Sequence, residues 1–268
     1  MKLRPIAGIV LRQFYLMRGS PVRLFPMVTW VAIDIVLWGF ITRYLNAVSG
    51  GGMDFVPTLL GGVLLWDFCT RIMQGVTTAF LEDVWSRNFL NLFASPLSIS
   101  EYITGLVITS VLTSTLGVVV MLLLATGVFH LQFFSMGLPL VAFLTVLFVF
   151  GISLGIFASA IVLRLGPASE WLLWPLPALL SPFAAVFYPL AVLPHWMQWV
   201  SRALPPAYVF EGMRALLAAD RPFPGILLFQ GSLVAVLELL LAAYFYGRVY
   251  RHAVRTGLLA RYSAETVT

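Results

Sequence analysis

The sequence is poor in charged residues and nearly devoid of cysteine. Only 10% of its 268 residues are charged and 60% are hydrophobic, whereas an ordinary soluble domain is about 25% charged. A globule of this length could not hide so much apolar side chain from water, so lipid must be its main solvent. The single cysteine, Cys69, excludes an internal disulfide framework. The sequence therefore predicts an integral membrane protein.

The chain also has a single lysine, Lys2, and this excludes a nucleotide site of the P-loop kind. Such a site needs a Gly-rich turn ending in Gly-Lys-Ser/Thr, because the lysine reaches the β- and γ-phosphates. The sequence contains no His-Glu-x-x-His and no Gly-x-Ser-x-Gly motif, so we expect neither a catalytic nor a metal site. Basic residues at the ends of apolar stretches are typical of a membrane protein, and we expect no nucleic-acid partner.

Six apolar stretches divide the chain, each near the roughly 20 residues that a bilayer requires. They lie at about 25–45, 57–80, 101–127, 137–163, 171–192 and 224–246. We find no internal repeat and no linker, so we expect one all-α membrane domain over residues 1–268 with six transmembrane helices.

Residues 1–24 precede the first stretch and are amphipathic. Apolar residues recur there at helical spacing, with arginines between them: Ile6, Ile9, Val10, Phe14 and Met17, with Arg4, Arg12 and Arg18. This pattern favours a helix lying in the membrane surface over a solvated helical tail.

The positions of the basic residues predict the orientation. Six spans put both termini on one side of the membrane. That side then receives Lys2, Arg4, Arg12, Arg18, Arg23, Arg87, Arg164, Arg248, Arg251, Arg255 and Arg261. The other side receives only Arg202, Arg214 and Arg221, with Arg43 near its boundary. Basic residues favour the cytoplasm, so we expect both termini, the segment 81–100 and the tail 247–268 to be cytoplasmic.

The segment 81–100 is amphipathic, unlike the apolar stretches on either side. We predict a helix over 81–95, a break at Pro96 because its ring disfavours the α conformation before it, and a new helix at once. Ser98 followed by Glu101 has the spacing of a capping box. Amphipathicity alone leaves two interpretations open: a loop helix resting on headgroups, or a lever for a cytoplasmic partner.

The outer part of the chain is rich in proline. Between Ser181 and Pro224 it contains Pro182, Pro189, Pro194, Pro205, Pro206, Pro222 and Pro224. A spanning helix cannot absorb so many, since each removes a backbone donor. We predict two short helices, about 195–203 and 207–219, within a re-entrant pair over 194–220. A plain extracellular loop packed on the bundle is the alternative.

Four ionisable residues fall inside the apolar stretches: Asp34, Asp67, Arg71 and Glu238. They should face protein or water, because charge in lipid is costly. Asp67 and Arg71 are four residues apart, so we favour a structural pair over substrate recognition. Asp34 and Glu238 have no obvious local partner and would suit a proton-coupled carrier, the rival hypothesis. Glu211 and Arg214 have the spacing of an i,i+3 pair, which we also interpret as structural.

Two stretches carry a family resemblance. "LEDVWSRNFLNLFASPLSISEYITG", residues 81–105, resembles the cytoplasmic segment between the second and third spans of ABC-2 type exporter permeases. "FYPLAVLPHWMQWVSRALPPAYVFEGMRALL", residues 187–217, is similar to the region before the last span in that family, with Tyr188-Pro189, Leu193-Pro194-His195-Trp196, Pro205-Pro206-Ala207-Tyr208 and Glu211 with Arg214. Chain length, span count and the amphipathic N-terminus match the family too.

The resemblance implies a function as the permease subunit of an ATP-driven exporter for an amphiphile, glycan, lipid or drug. It implies that a separate ABC ATPase binds ATP and Mg²⁺ and docks on a coupling helix whose residues are Leu81, Glu82, Asp83, Trp85, Arg87, Asn88 and Phe89, with Pro96 fixing its angle. It implies an outer gate formed by Pro189, Pro194, Trp196, Pro205, Tyr208, Glu211 and Arg214. It further implies a second copy, or a similar permease, in a bacterial-type cytoplasmic membrane.

Overall fold

The computed structural model describes residues 3–19, 25–49, 59–86, 88, 91–92, 95–129, 137–217 and 223–258. Within these ranges the chain forms helices and no strand, which confirms the all-α prediction. The α-helices are α1 (Leu3–Gly19), α2 (Phe25–Val48), α3 (Gly61–Trp85), α4 (Ile99–Phe129), α5 (Leu138–Leu165), α6 (Leu176–Leu180), α7 (His195–Arg202), α8 (Pro205–Leu217) and α9 (Gly225–Arg255).

Three of these helices are long and apolar enough to cross a membrane, judged over the described residues. They are α4, α5 and α9. Their outward faces are apolar and exposed, for example at Leu116 on α4 and Leu237 on α9. Helices α2, α4, α5 and α9 begin within two residues of their predicted starts, and α9 continues past the predicted end at about 246 to Arg255.

Helix α3 lies between α4 and α5 and is more polar than either of them. It packs against both α4 and α5. Small residues permit the close approach: a Cβ on Gly155 of α5 would lie 2.7 Å from Cβ of Val76 and 3.0 Å from the Met73 carbonyl oxygen. On the α4 side, Ser110 Oγ donates a 2.9 Å hydrogen bond to the Ile72 carbonyl oxygen. Gly151 and Gly155 form a Gly-x-x-x-Gly element, and both lie at this helix contact.

We name the two ends of the bundle after residues near the two ends of α3. The end at which α3 stops is called the Trp85 end, and the opposite one the Gly62 end. The helix predicted over 81–95 does not begin at residue 81, because Leu81–Trp85 continue α3 and Ser86 is its C-cap. The apolar face of these residues is needed for the core, and Leu81 is fully buried.

The fifth predicted span, 171–192, is not one helix. Residues 166–193, called the broken segment, form a 3-10 turn over Pro167–Leu172, the short α6, further turns and a second 3-10 turn over Leu190–Val192. Pro175, Pro177 and Pro182 interrupt the helical hydrogen bonds here. These prolines are the physical reason why an apolar stretch of adequate length fails to form a continuous helix.

The broken segment nevertheless runs the length of α3. Its Glu170 contacts Trp85 at one end. Leu173 and Trp174 share a crevice with Gln74 near the middle. At the other end, a Cβ on Gly62 would lie 3.0 Å from the Val186 carbonyl oxygen.

The proline-rich region beyond the broken segment contains two helices where two were predicted. They are α7 and α8, separated by a short turn at Ala203–Leu204. Helix α8 packs on α5 and α9. A Cβ on Gly212 of α8 would lie 2.5 Å from the Phe143 ring, so this glycine sets the distance between α8 and α5.

We expect Gly155→Ala to loosen the contact between α3 and α5. The added methyl group would meet the Met73 carbonyl and Val76, and overpacking of this kind costs about 1–3 kcal/mol. The measurement is the midpoint of thermal unfolding of the detergent-solubilised chain, which should fall. Gly247→Ala on α9 is the matched control, since no heavy atom lies within 4 Å of the added Cβ there. Equal midpoints for the two variants would contradict the packing described.

Candidate functional site

A buried ionic cluster joins three helices at the Trp85 end. Asp83, near the end of α3, is completely buried. Its Oδ1 accepts a hydrogen bond from the Arg12 guanidinium of α1. Its Oδ2 accepts one from the Tyr102 hydroxyl of α4, at 2.7 Å. The sequence predicted that Asp83 would contact a partner protein, but its carboxylate is occupied within the chain.

This cluster ties the amphipathic helix α1 to the bundle. Burial lowers the pKa of Arg12, but its hydrogen bond to Asp83 and the charge of that residue outweigh burial, so the pKa is raised. Arg12 therefore stays charged and Asp83 keeps its counter-ion. Close packing strengthens the tie, because a Cβ on Gly105 of α4 would lie 2.7 Å from Cβ of Ile9. Helix α1 thus docks on α4 along one face.

A second contact at the Trp85 end joins α3 to the broken segment. Trp85 Nε1 donates a 2.7 Å hydrogen bond to Glu170 Oε2. The Trp85 ring itself is exposed. Glu170 lies in the first 3-10 turn of the broken segment, so this hydrogen bond links the end of α3 to that segment.

The described residues between α3 and α4 make local hydrogen bonds. Asn88 N donates to the Asp83 carbonyl oxygen at 3.1 Å, and Pro96 is exposed. The predicted capping box is present: Ser98 N donates to Glu101 Oε2 at 3.1 Å, and Glu101 N donates to Ser98 Oγ at 3.3 Å. Helix α4 therefore begins with the geometry that the sequence predicted.

Some of the predicted coupling residues cannot be placed. Arg87 and Phe89 lie outside the described residues. Glu82 is half-buried on the flank of α3. The exposed residues described here include Trp85, Asn91, Ser95 and Pro96.

The ionisable residues in the apolar stretches form one local group and one isolated residue. Arg71 donates to Asp67 through Nε at 2.6 Å and through its second guanidinium nitrogen at 3.1 Å. Asp34 of α2 is partly buried. The fork-shaped contact between Asp67 and Arg71 has the geometry of a structural pair.

Glu238 is placed apart from this group, on α9. Its Oε2 is buried and has no hydrogen-bond partner among the described residues.

At the Gly62 end, Glu211 and Arg214 of α8 hydrogen-bond to the broken segment. Arg214 donates to the carbonyl oxygens of Ala185, Val186 and Tyr188. Glu211 Oε1 accepts from the backbone N of Leu190 at 2.6 Å and from Arg214 at 3.2 Å. The pair is therefore a clamp on backbone groups.

The clamp holds an unusual backbone. Ala185 has φ of 56°, in the left-handed region that non-glycine residues rarely adopt. Its carbonyl oxygen is one of those that Arg214 binds. Such a conformation persists only when its surroundings hold it, and Arg214 supplies that support.

The other predicted gate residues lie around the same turns. Tyr208 donates to the Arg202 carbonyl oxygen at 2.7 Å, closing the turn between α7 and α8. Pro194 precedes α7, Pro205 opens α8 and Pro189 precedes the second 3-10 turn. Trp196 is exposed and contacts the Phe183 ring at 6.2 Å between centroids.

The sequence analysis did not identify three of the residues that make these contacts: Arg12, Tyr102 and Glu170. Asp83 and Arg12 are 71 residues apart, so no local pattern pairs them. Helical spacing in residues 1–24 placed Arg12 beside the apolar face, and this was the one available signal. No group of metal-ligating side chains occurs in the part of the chain that the structure describes.

We expect Arg12→Met to destabilise the chain strongly, since it leaves the buried Asp83 carboxylate without its counter-ion. Breaking a buried pair from one side costs about 3–5 kcal/mol. The double variant Arg12→Met with Asp83→Asn should recover most of the loss, because the charge is removed and Tyr102 keeps an acceptor. The measurement is the thermal unfolding midpoint.

Arg4→Met is the matched control, because Arg4 is an exposed arginine on the same helix. Its midpoint should be close to that of the unsubstituted chain. If Arg12→Met behaves like Arg4→Met, or if the double variant is no more stable than Arg12→Met alone, the cluster does not hold α1 in place.

A comparison with known proteins identifies the family of the chain. A family model described as ABC-2 type transporter matches residues 8–218. This range includes the α1 tie, all of α3 and the clamp on α8. A search of curated proteins finds no match. The chain is a multi-pass membrane protein and belongs to the ABC-2 type transporter family, as a membrane transport subunit.

Proposed function

We propose that the chain is the permease subunit of an ATP-driven exporter, which moves an amphiphilic, glycan- or lipid-type substrate, or a drug, out across a cytoplasmic membrane. One observation carries the proposal: a chain of the ABC-2 family has a single lysine, at position 2, and no P-loop. A P-loop ATPase needs that lysine at the phosphates. The energy must therefore come from a separate ATPase subunit, which would bind ATP and Mg²⁺.

The ATPase would dock at the Trp85 end. The basic residues concentrate on the side to which this end belongs, and that distribution favours the cytoplasm. Asn91 and Pro96 are exposed in the connection between α3 and α4, and Asn91 and Leu92 are helical. The coupling surface would lie on this connection, since Leu81–Trp85 belong to α3.

The contacts at this end suggest how a displacement of α3 would be transmitted to the other helices. Asp83 ties the end of α3 to α1 and α4, and Trp85 ties it to the broken segment. Displacement of α3 by a docked ATPase would thus reach α1, α4 and residues 166–193 together. The prolines within the broken segment allow it to bend between its two fixed ends.

At the Gly62 end, the clamp of Glu211 and Arg214 would act as part of an outer gate. It holds the turn at Ala185–Leu190 by backbone hydrogen bonds. Pairing with a second copy, or with a similar permease, would enclose the pathway. The carrier alternative is not favoured, because the family is that of ABC permeases.

The test is complex formation and ATP hydrolysis with the candidate P-loop ATPase co-expressed with the chain. The two proteins should co-purify, and hydrolysis in nanodiscs should depend on the P-loop lysine of the ATPase. Replacing Glu82 and Asn91 together by arginine should abolish co-purification, because it alters the shape and charge of the docking end.

Arg202→Ser is the control, since Arg202 is exposed on α7 near the opposite end. This variant should retain both co-purification and hydrolysis. Loss of the complex in Arg202→Ser, or an unchanged complex in the variant with both arginines, would show that the ATPase docks elsewhere. Transport at full rate without any ATPase would overturn the proposal itself.

A further inference from the structure

The exposed side of α9 changes from apolar to basic along one continuous face. Its apolar part consists of exposed side chains spaced three or four residues apart, which keeps them on one side of a helix: Ile226, Phe229, Leu233, Leu237, Leu240 and Tyr244. The same spacing continues with Arg248, Arg251 and Arg255, which are also exposed. The opposite side of α9, with Ala242 and Tyr246, is buried in the bundle. One uninterrupted face thus carries an apolar part and then a basic part.

The change of character falls where the hydrocarbon core of a bilayer would end. Ile226 and Tyr244 are about 27 Å apart along the axis at the usual helical rise, close to the core thickness of about 30 Å. Arg248 follows one turn later, at the level of the headgroups. This is the Trp85 end, because the Phe80 ring of α3 meets the Tyr246 ring edge to face, with 6.2 Å between centroids. The arginines therefore begin in the headgroup layer on the side that the basic residues assign to the cytoplasm.

Helices α5 and α9 run parallel and reach this end together. A Cβ on Gly231 of α9 would lie 3.6 Å from Cγ1 of Val146 of α5. Farther along both helices, the Phe157 and Phe245 rings lie 5.5 Å apart between centroids. Phe157 is exposed, so the two rings lie at the floor of a groove that opens on the outside of the bundle.

Two further basic side chains border this groove. Two helical turns beyond the ring pair, α5 carries Arg164 and α9 carries His252, and both are exposed. A step of seven residues keeps a side chain on nearly the same side of a helix. Arg164 and His252 therefore lie on the edges of the groove that Phe157 and Phe245 begin, next to the basic part of α9.

The arginine side chains lean back toward the bilayer. Each Cα–Cβ bond of an α-helix tilts toward the N-terminus, and α5 and α9 both reach this end with their last turns. Arg248 shows the direction: its guanidinium carbon lies 5.9 Å from the centroid of the Tyr244 ring, one turn back, and Nη1 lies 3.5 Å from the Tyr244 hydroxyl. Long side chains directed in this way place their charge among headgroups.

Neither helix supplies an acidic residue that would neutralise these charges. The sequence has no Asp or Glu over residues 138–169 or over 239–258. Glu170, which follows the first of these ranges, accepts a hydrogen bond from Trp85. Within the described part of the chain, the arginines that form ion pairs are others: Arg12, Arg71 and Arg214. The basic groove therefore offers its positive charge to an anion from outside the described residues.

Charge and position together favour an anionic phospholipid as the occupant. Guanidinium groups bind phosphate oxygens through paired hydrogen bonds, and the apolar part of the same face can take the acyl chains. A soluble anion would make no use of that apolar part. A second copy of the chain fits poorly, because a two-fold interface uses the same patch on both subunits and would bring the two sets of arginines together.

We propose that the ends of α5 and α9 form a binding site for an anionic phospholipid of the cytoplasmic leaflet. Its phosphate lies among Arg164, Arg248, Arg251 and Arg255, and its acyl chains follow the apolar face of α9 toward Leu240. The site lies on the outside of the bundle and depends on neither ATP nor cargo, so it goes beyond the proposed function.

The test is native mass spectrometry of the full chain in detergent with equal amounts of phosphatidylglycerol and phosphatidylcholine that carry the same acyl chains. The unsubstituted chain should retain phosphatidylglycerol preferentially. Arg248→Ser combined with Arg255→Ser should reduce this preference at least about tenfold, because each arginine near an anionic lipid contributes roughly fivefold in affinity. Arg248→Lys combined with Arg255→Lys keeps the charge and should keep most of the preference.

Arg4→Ser combined with Arg18→Ser is the matched control, since it removes two exposed arginines of α1 and changes the net charge equally. This variant should keep the preference for phosphatidylglycerol. An equal loss in both serine pairs would show only a general attraction to basic surfaces, and no loss in either would remove the site. If the α9 serine pair lowers the unfolding midpoint in phosphatidylcholine alone, Arg251→Gln combined with Arg255→Gln takes its place with the same expected loss.

Two further outcomes would assign the basic groove to a different occupant. Inorganic phosphate at millimolar concentration should leave the bound phosphatidylglycerol in place, and its displacement would point to a soluble anion instead. An α9 serine pair that keeps the lipid preference but no longer co-purifies with the ATPase would assign this face to the partner protein. Either result would overturn the lipid site.

Discussion

The constraint on which the structure depends is that lipid offers no hydrogen-bonding partner to a polar group. The chain packs α3, which carries Asp67, Arg71 and Asp83, between the more apolar helices α4 and α5. Asp83 obtains its counter-ion from α1 and a hydroxyl from α4, and Asp67 obtains its counter-ion from its own helix. Glycines on α5 bring that helix close enough to cover the remaining face of α3. A helix too polar for lipid thus becomes the axis of the bundle.

The same constraint explains why the two ends of the bundle differ. At the Trp85 end the contacts are made by side chains from distant parts of the sequence, and they converge on α3. At the Gly62 end, Arg214 and Glu211 bind backbone groups instead, because the broken segment there has carbonyl oxygens and an N–H that no helix satisfies. Between these anchors the broken segment follows α3 with prolines along its course. Under the proposed mechanism, a movement of one end of α3 would pass to this segment, whose far end is held by α8.

Local sequence patterns predicted the local features. Apolar periodicity gave the all-α fold and most helix positions, the spacing of Ser98 and Glu101 gave the capping box, and that of Asp67 and Arg71 gave the pair. The contacts between distant segments could not be predicted in this way. Asp83 looked like a surface acid because Arg12 is far away in the sequence, and Glu170 had no local partner that would indicate Trp85. The fifth stretch is apolar enough for a span, and its apolar composition predicted a continuous helix. Its prolines interrupt that helix.

The central claim is that α3 is a polar axis driven from its Trp85 end. An electron cryo-microscopy map of the chain with its ATPase in lipid nanodiscs tests this most directly. The account predicts ATPase density against the connection between Trp85 and Ser98, with α3 inside the bundle and the broken segment beside it. Density for the ATPase at the end formed by α7 and α8, or α3 turned with Asp67 and Gln74 toward lipid, would contradict it.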